Sequence, residues 1–369
     1  MARRTLTGLT VFAAMALVAV ACSGGGTGST GGSSGGASSA PSAAPSGTLR
    51  LFSYGDGFDD AYIQSFRDQY PQVDLQTSPF GSNDEAVAKL QAGFQADVVN
   101  SCVDESTLEM DQKGLYQPLD VSRIPDWNSI FPAFKTLPGV QYNGQVYMIP
   151  IDAGTAGLMY NADVIKTPPT SWHDLFDPQY QGKAALEDIS VTAIDVAALT
   201  LGYSDPLHMS TDQLANVKTF LIDHKDQFRT FWHSDAEIQN LFKSGEVVIA
   251  SGYPGNALAL QREGVNVRFV PAKEGQMLWT CGYGISATAT NIDASYALIN
   301  WYLSPQAELY EVKAWAYTVS NTKVLDIASP QLIKQASLDA PYNFENAIPA
   351  SPPANRSAWT EVWTEVKAS

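Results

Sequence analysis

LWTCGYGIS, residues 278–286, carries the alternating bulk of a strand in Leu278, Trp279, Tyr283 and Ile285. Gly282 and Gly284 interrupt it, as glycines do where another backbone comes close. A thiol between Thr280 and Gly282 has no evident packing role there. The stretch therefore looks like a strand passing through a functional surface, and its surroundings decide the fold.

Strand and helix signals alternate on both sides. Upstream, NVRFVPAKEG (266–275) follows AEIQNLFKSGEVVIASGYPGNALALQREG (236–264), which reads as helix, strand, turn and helix. Further back lie AALEDIS (184–190), the helix VTAIDVAALTLGY (191–203) and the amphipathic TDQLANVKTFLIDHKDQF (211–228). Towards the N-terminus, TLRLFSYG and VDLQTSPF read as strands, and ADVVNS (96–101) as a buried strand. The helix between the first two begins at Asp59 or Asp60, with Tyr62, Phe66 and Tyr70 at helical spacing. Asn143-Gly144 predicts a hairpin turn. Downstream, NIDASYALINWYLSPQAELYEVKAWAY (291–317) reads as two helices, the second opened by Ser304-Pro305. Alternation of this kind predicts an α/β fold with mostly parallel sheets. A body of some 320 residues (48–369) exceeds one ordinary core and suggests two lobes.

The N-terminus supplies an address. Arg3 and Arg4 precede the apolar run 9–21, too short to span a membrane, and small residues lead to Cys22. Residues 1–21 thus read as a signal peptide. Ala19-Val20-Ala21-Cys22 resembles a bacterial lipoprotein signal, which implies lipidation of Cys22, although Ala19 stands where the pattern usually has Leu, Val or Ile. Residues 22–47, almost entirely Gly, Ser, Ala, Thr and Pro beyond the cysteine, read as a flexible tether. GTGSTG (26–31) lies in it without a preceding strand or following helix, so it is no dinucleotide fingerprint.

The formal charge of −16 disfavours nucleic acid and favours cations. His173, His208, His224 and His233 lack metal-ligand spacing, and no nucleophile elbow or phosphate loop is present. Ser320-Asn321-Thr322-Lys323 matches SxxK without its partner motifs. No metal, cofactor or catalytic residue is expected, and binding is favoured over catalysis. The alternative class is a secreted carbohydrate hydrolase, whose carboxylate pair leaves no short motif.

ADVVNS, VYMIPIDAGTAGLMYN (146–161), PTSWHDLFDPQYQGKAAL (169–186), SGEVVIASGYPGNALAL (244–260), AKEGQMLW (272–279) and YALINWYLSPQ (296–306) together carry a resemblance. In order and spacing, the chain resembles the extracellular solute-binding proteins of bacterial ABC importers, specifically the spermidine/putrescine-binding group. The resemblance implies a two-lobed periplasmic-binding-protein fold of type II, with ligand in the interlobe cleft. Lobe 1 would comprise 48–153 and 282–320, and lobe 2 154–281 and 321–369, with LWTCGYGIS at the second crossing. It implies a monomer tethered outside the cell membrane, delivering a small amine to a permease and its ATPase.

By position, the resemblance carries ligand-binding roles to Tyr54, Asp56, Ser101, Cys102, Tyr253, Trp279, Tyr317 and Asp188, with Glu187 beside the last. An amine wants aromatic faces and carboxylates. The group's further acids fall at Val191 and Cys281 here, which implies a less anionic site. Asp152 stands where the group commonly has Trp; a turn residue is the preferred reading, a migrated acid the other. A zwitterion such as 4-aminobutyrate or an amino acid, or a sugar, therefore remains an alternative ligand. The resemblance also brings Cys102 and Cys281 near the cleft. A disulfide between them is one outcome; two unpaired, partly buried thiols is the preferred one.

Overall fold

The computed structural model describes residues 44–339 and 347–369. The expected signal peptide, Cys22 and nearly all of the tether lie outside the described residues.

The central path of the twelve-stranded main sheet is built from β1 (Gly47–Ser53), β2 (Val73–Pro79), β3 (Val98–Cys102), β4 (Met148–Asn161), β5 (Ala184–Glu187), β6 (Phe228–Trp232), β7 (Ile249–Gly252) and β8 (Gln276–Ser286). Its order is β2-β1-β3-β8-β4-β7-β5-β6. β1 pairs in parallel with both β2 and β3, and β5 pairs in parallel with both β6 and β7. Between these parallel sets run β4 and β8, antiparallel to each other, with β4 antiparallel to β7 and β8 antiparallel to β3. The expected parallel pairing therefore holds within each end of the sheet, and two long antiparallel strands join the ends.

Helices follow the strands as the sequence predicts: α1 (Asp60–Gln69), α2 (Asn83–Gln91), α3 (Ser190–Thr200), α4 (Thr211–Asp223), α5 (Asp235–Ser244), α6 (Pro254–Arg262), α7 (Ile292–Tyr302), α8 (Pro305–Trp315) and α9 (Arg356–Ala368). Asp59 caps α1, its carboxylate accepting from the amides of Ala61 and Tyr62. Ser304 caps α8 ahead of Pro305. Asn143 and Gly144 both take positive φ, 49° and 77°, the type I′ geometry of a two-residue hairpin.

Two cores flank the crossing strands. Leu49, Leu51, Phe66, Val98 and Trp301 form one, to which β4 gives Ile149, Ile151 and Ala153 and β8 gives Tyr283 and Ile285. Trp172, Leu186, Val196, Leu221 and Trp363 belong to the other, to which β4 gives Ala156, Leu158 and Tyr160 and β8 gives Met277. Each crossing strand thus changes core part-way along its length. A buried side chain of this size contributes about 1.5–3 kcal/mol, so both ends of each strand are firmly held. Val324, Ala336 and Leu338 pack separately with Val312 and Val319. α9 is amphipathic, burying Trp359, Val362, Trp363 and Val366 against α3 and α4.

α3 is buried at every position. Its apolar circumference explains that, since a helix hydrophobic all round belongs inside. Asp195 is its one charged residue, and it too is buried, 1 % exposed.

Candidate functional site

A cavity of about 500 Å³ opens over β8. Side chains alternate along a strand, so Met277, Trp279, Cys281 and Tyr283 share one face, and all four line the cavity. Across β8 lie Asp152 of β4 and Cys102 of β3, each paired in register with Cys281.

Cys102 and Cys281 are joined by a disulfide, correcting the preferred expectation of two free thiols. The register supplies the reason. Val103 N–H donates to Thr280 O at 2.8 Å, so the next opposed pair, Cys102 and Cys281, is a non-hydrogen-bonded pair, where antiparallel side chains approach most closely.

The aromatic wall centres on Trp279. Tyr317 meets its ring edge-on at 4.8 Å and Tyr253 at 6.0 Å. Gly154 makes this possible: a Cβ there would lie 2.5 Å from the Trp279 ring. Trp279 Nε1 is buried with no hydrogen-bond partner among the described residues. Tyr54 donates to Glu105 Oε1 at 3.3 Å and accepts from Asn83 Nδ2 at 2.9 Å.

Carboxylates line the cavity in two groups. Asp56, Asp152, Asp235 and Glu311 neighbour one another, as do Asp104, Glu105 and Glu187, with Asp195 set apart on α3 beyond Asp104; no Lys or Arg appears among the described lining residues. Burial drives their pKa values up. Asp56 and Asp104 rise to about 7, and Glu105 and Glu187 to about 8. Desolvation is the largest cause for each. Neighbouring acids add to it: Asp235 for Asp56, Asp104 for Glu105, and Asp235 and Asp104 for Glu187. Asp152, Glu311 and Asp195 are pushed well above the ordinary carboxylate range, again by burial first. Some oxygens are held by the protein. Glu187 Oε2 accepts from Tyr253 at 2.7 Å and Thr192 at 2.9 Å, and Glu311 Oε1 accepts from Tyr62 at 2.5 Å. Others are not: Glu311 Oε2 and Asp195 Oδ1 are buried without a partner. No three acidic, His or Cys groups among the described residues converge as metal ligands.

The structure brings Tyr54, Asp56, Cys102, Asp152, Tyr253, Trp279, Cys281 and Tyr317 to this cavity. Ser101 and Asp188 stand elsewhere. Ser101 faces away beside Cys102, its Oγ 2.9 Å from Thr107 Oγ1. Asp188 accepts from Trp363 Nε1 at 2.6 Å and Lys367 Nζ at 2.7 Å, and meets His233 Nε2 at 2.9 Å. In both cases the alternation of an extended chain turns one neighbour in and the next out. Asp152 sits inside β4, which corrects its reading as a turn residue. The site is also more anionic than expected. Val191 and Cys281 do lack carboxylates, but Glu187 supplies one from the end of β5, and Asp104, Glu105, Asp195, Asp235 and Glu311 supply others from loops and helices that no short motif flags. Asp195 carried one signal in sequence, an acid in the middle of the apolar VTAIDVAAL.

A family model described as bacterial extracellular solute-binding protein matches residues 61–340, well over half the chain. The chain belongs to that family. Among curated proteins, this solute-binding protein is 25 % identical over 345 residues to the putrescine-binding periplasmic protein PotF of Escherichia coli K12, covering 87 % of this chain and 91 % of that one. It is 24 % identical over 305 residues to the spermidine/putrescine-binding periplasmic protein of the same organism, covering 79 % and 82 %. Among solved structures, the Tp0655 (TpPotD) lipoprotein of Treponema pallidum superposes with a TM-score of 0.70 at 19 % identity, covering 87 % of this chain and 99 % of that one. At that identity the likeness shows the fold alone.

Proposed function

We propose that this solute-binding protein captures a small organic polycation of the putrescine/spermidine class and hands it to an ABC permease. The observation that carries the proposal is the pairing of an aromatic wall with two groups of carboxylates and no Lys or Arg among the described lining residues. Methylenes and ammonium groups pack on Trp279, Tyr253 and Tyr317, each cation–π contact contributing about 0.5–2 kcal/mol. Each ammonium takes charge-assisted hydrogen bonds from one carboxylate group. The names of the curated relatives point the same way.

In this reading the two cores are two lobes, hinged where β4 and β8 change core, and ligand bridging both closes them. Residues 321–338 would move with the first lobe, because they pack on Val312 and Val319. The protein catalyses no reaction, acts as a monomer, and is held outside the cell membrane by lipid on Cys22, with the permease and its ATPase as partners.

Calorimetry on the mature protein with putrescine, spermidine, 4-aminobutyrate, amino acids and sugars tests the ligand class. Putrescine or spermidine binds, and Trp279→Ala weakens that binding by about 1–2 kcal/mol. Binding of a sugar or zwitterion with no response to either amine would overturn the proposal.

A further inference from the structure

The cavity is longer than a diamine needs. From Cys281 to Met277 it follows β8 over four residue steps, about 13 Å at the rise of a strand. At about 1.2 Å of advance per bond, an extended 1,4-diaminobutane spans about 6 Å between nitrogens, and a triamine of the spermidine type about 11 Å. A diamine between Asp152 and the aromatic wall would leave the far part unfilled.

That far part has its own chemistry. Beyond Trp279 the walls turn aliphatic, with Val191, Leu207, Met277 and Ile348. Asp195 lies on the same face of α3 as Val191 and Thr192, at helical spacings of four and three, and lines the cavity. Thr192 Oγ1 bonds Glu187 Oε2, so this face adjoins the second carboxylate group. Asp195 Oδ1 is buried without a partner among the described residues. Arg356, the cation that acts on Asp104, pairs with Asp84 and Glu109, and no ion pair reaches Asp195 among the described residues. A buried carboxyl oxygen lacking a donor, on a helix with no other charged residue, is costly unless a ligand supplies the donor.

We infer that Asp195 and the aliphatic walls beside it form a third subsite, which takes an aminoalkyl arm extending the ligand beyond a diamine, with the arm's terminal ammonium at Asp195 Oδ1. The inference rests on the amine reading above. The arm's methylenes lie on Val191, Leu207, Met277 and Ile348, and the ligand is a linear triamine in preference to a diamine.

Calorimetry with putrescine, spermidine and both mono-acetylated spermidines tests this on wild type and Asp195→Asn. Wild type binds spermidine at least about tenfold more tightly than putrescine and than either acetylated isomer, as expected for one charge-assisted contact. Asp195→Asn abolishes that preference and leaves putrescine affinity within about twofold. Leu207→Trp, which fills the subsite without touching α3, has the same effect and covers a failure of Asp195→Asn to fold. Equal losses for both amines, or none, overturn the subsite. An acetylated isomer binding as tightly as spermidine overturns the role of Asp195. Putrescine binding with no triamine preference in wild type sinks this inference alone, whereas neither amine binding sinks the amine reading and the subsite with it.

Discussion

Asp188 Oδ1 takes hydrogen bonds from Trp363 and Lys367 of α9, whereas Glu187 faces the cavity and is held by Tyr253 and Thr192. One step along the chain therefore separates fastening a helix from meeting a ligand. Asp188→Asn is expected to lower unfolding stability by about 1–3 kcal/mol, by neutralising the buried carboxylate that Trp363 and Lys367 bond, and to leave amine affinity unchanged. Glu187→Gln is expected to do the reverse at the site, weakening amine binding by about 1–3 kcal/mol. Urea unfolding and calorimetry on both variants check this; an affinity loss confined to Asp188→Asn would return the role to that residue. Most of the aromatic wall was legible in sequence because Tyr253, Trp279 and Tyr317 sit in blocks of recognisable order. Choosing between Glu187 and Asp188 was not, since composition is blind to which way a strand's end points.

β8 shows what an element adds to its residues. Its alternation gathers Met277, Trp279, Cys281 and Tyr283 on one face, and its register with β3 sets Cys281 opposite Cys102. The disulfide joins residues separated by 179 positions in sequence. A loop that long constrains the unfolded chain strongly, and its loss costs about 2–5 kcal/mol in the chain-entropy account. Guanidinium unfolding of wild type with and without reductant, and of Cys102→Ser/Cys281→Ser, should show that decrease. A double variant as stable as oxidised wild type would mean that the bond is not formed or does not constrain the unfolded chain. LWTCGYGIS was recognisable as a strand because its bulk alternates between glycines. The bond was not, because pairing across β3 and β8 depends on which residues fall opposite at a sequence separation of 179. α3 is the mirror case. Its burial was readable from an apolar circumference, while the cavity that Asp195 meets is made by other segments.

The whole molecule responds to pH through the buried acids. Their folded pKa values are raised above those of the unfolded chain, so the stability they confer is fully present below the unfolded carboxylate range. It is lost as pH rises through the folded values, about 7 for Asp56 and Asp104 and about 8 for Glu105 and Glu187. The unliganded protein should therefore lose stability between pH 5 and pH 8.5 by way of these groups. A diamine, still cationic across that range, should bind more tightly as they ionise. Thermal melts across that pH range with and without putrescine read both effects: the Tm gap between liganded and free protein widens with rising pH. A gap that narrows would contradict the assignment of these acids to a cation. Sequence by itself determined the α/β class, the order of strands and helices, and the resemblance to extracellular solute-binding proteins, because period-2 and period-3.6 patterning and capping residues are local signals. Only the tertiary structure decided how acidic the site is, which of two neighbouring acids enters it, and that the two cysteines are bonded. Those properties come from residues distant in the chain meeting across β3, β8, β4 and α3, and the raised pKa values exist only because folding removes those carboxylates from water together.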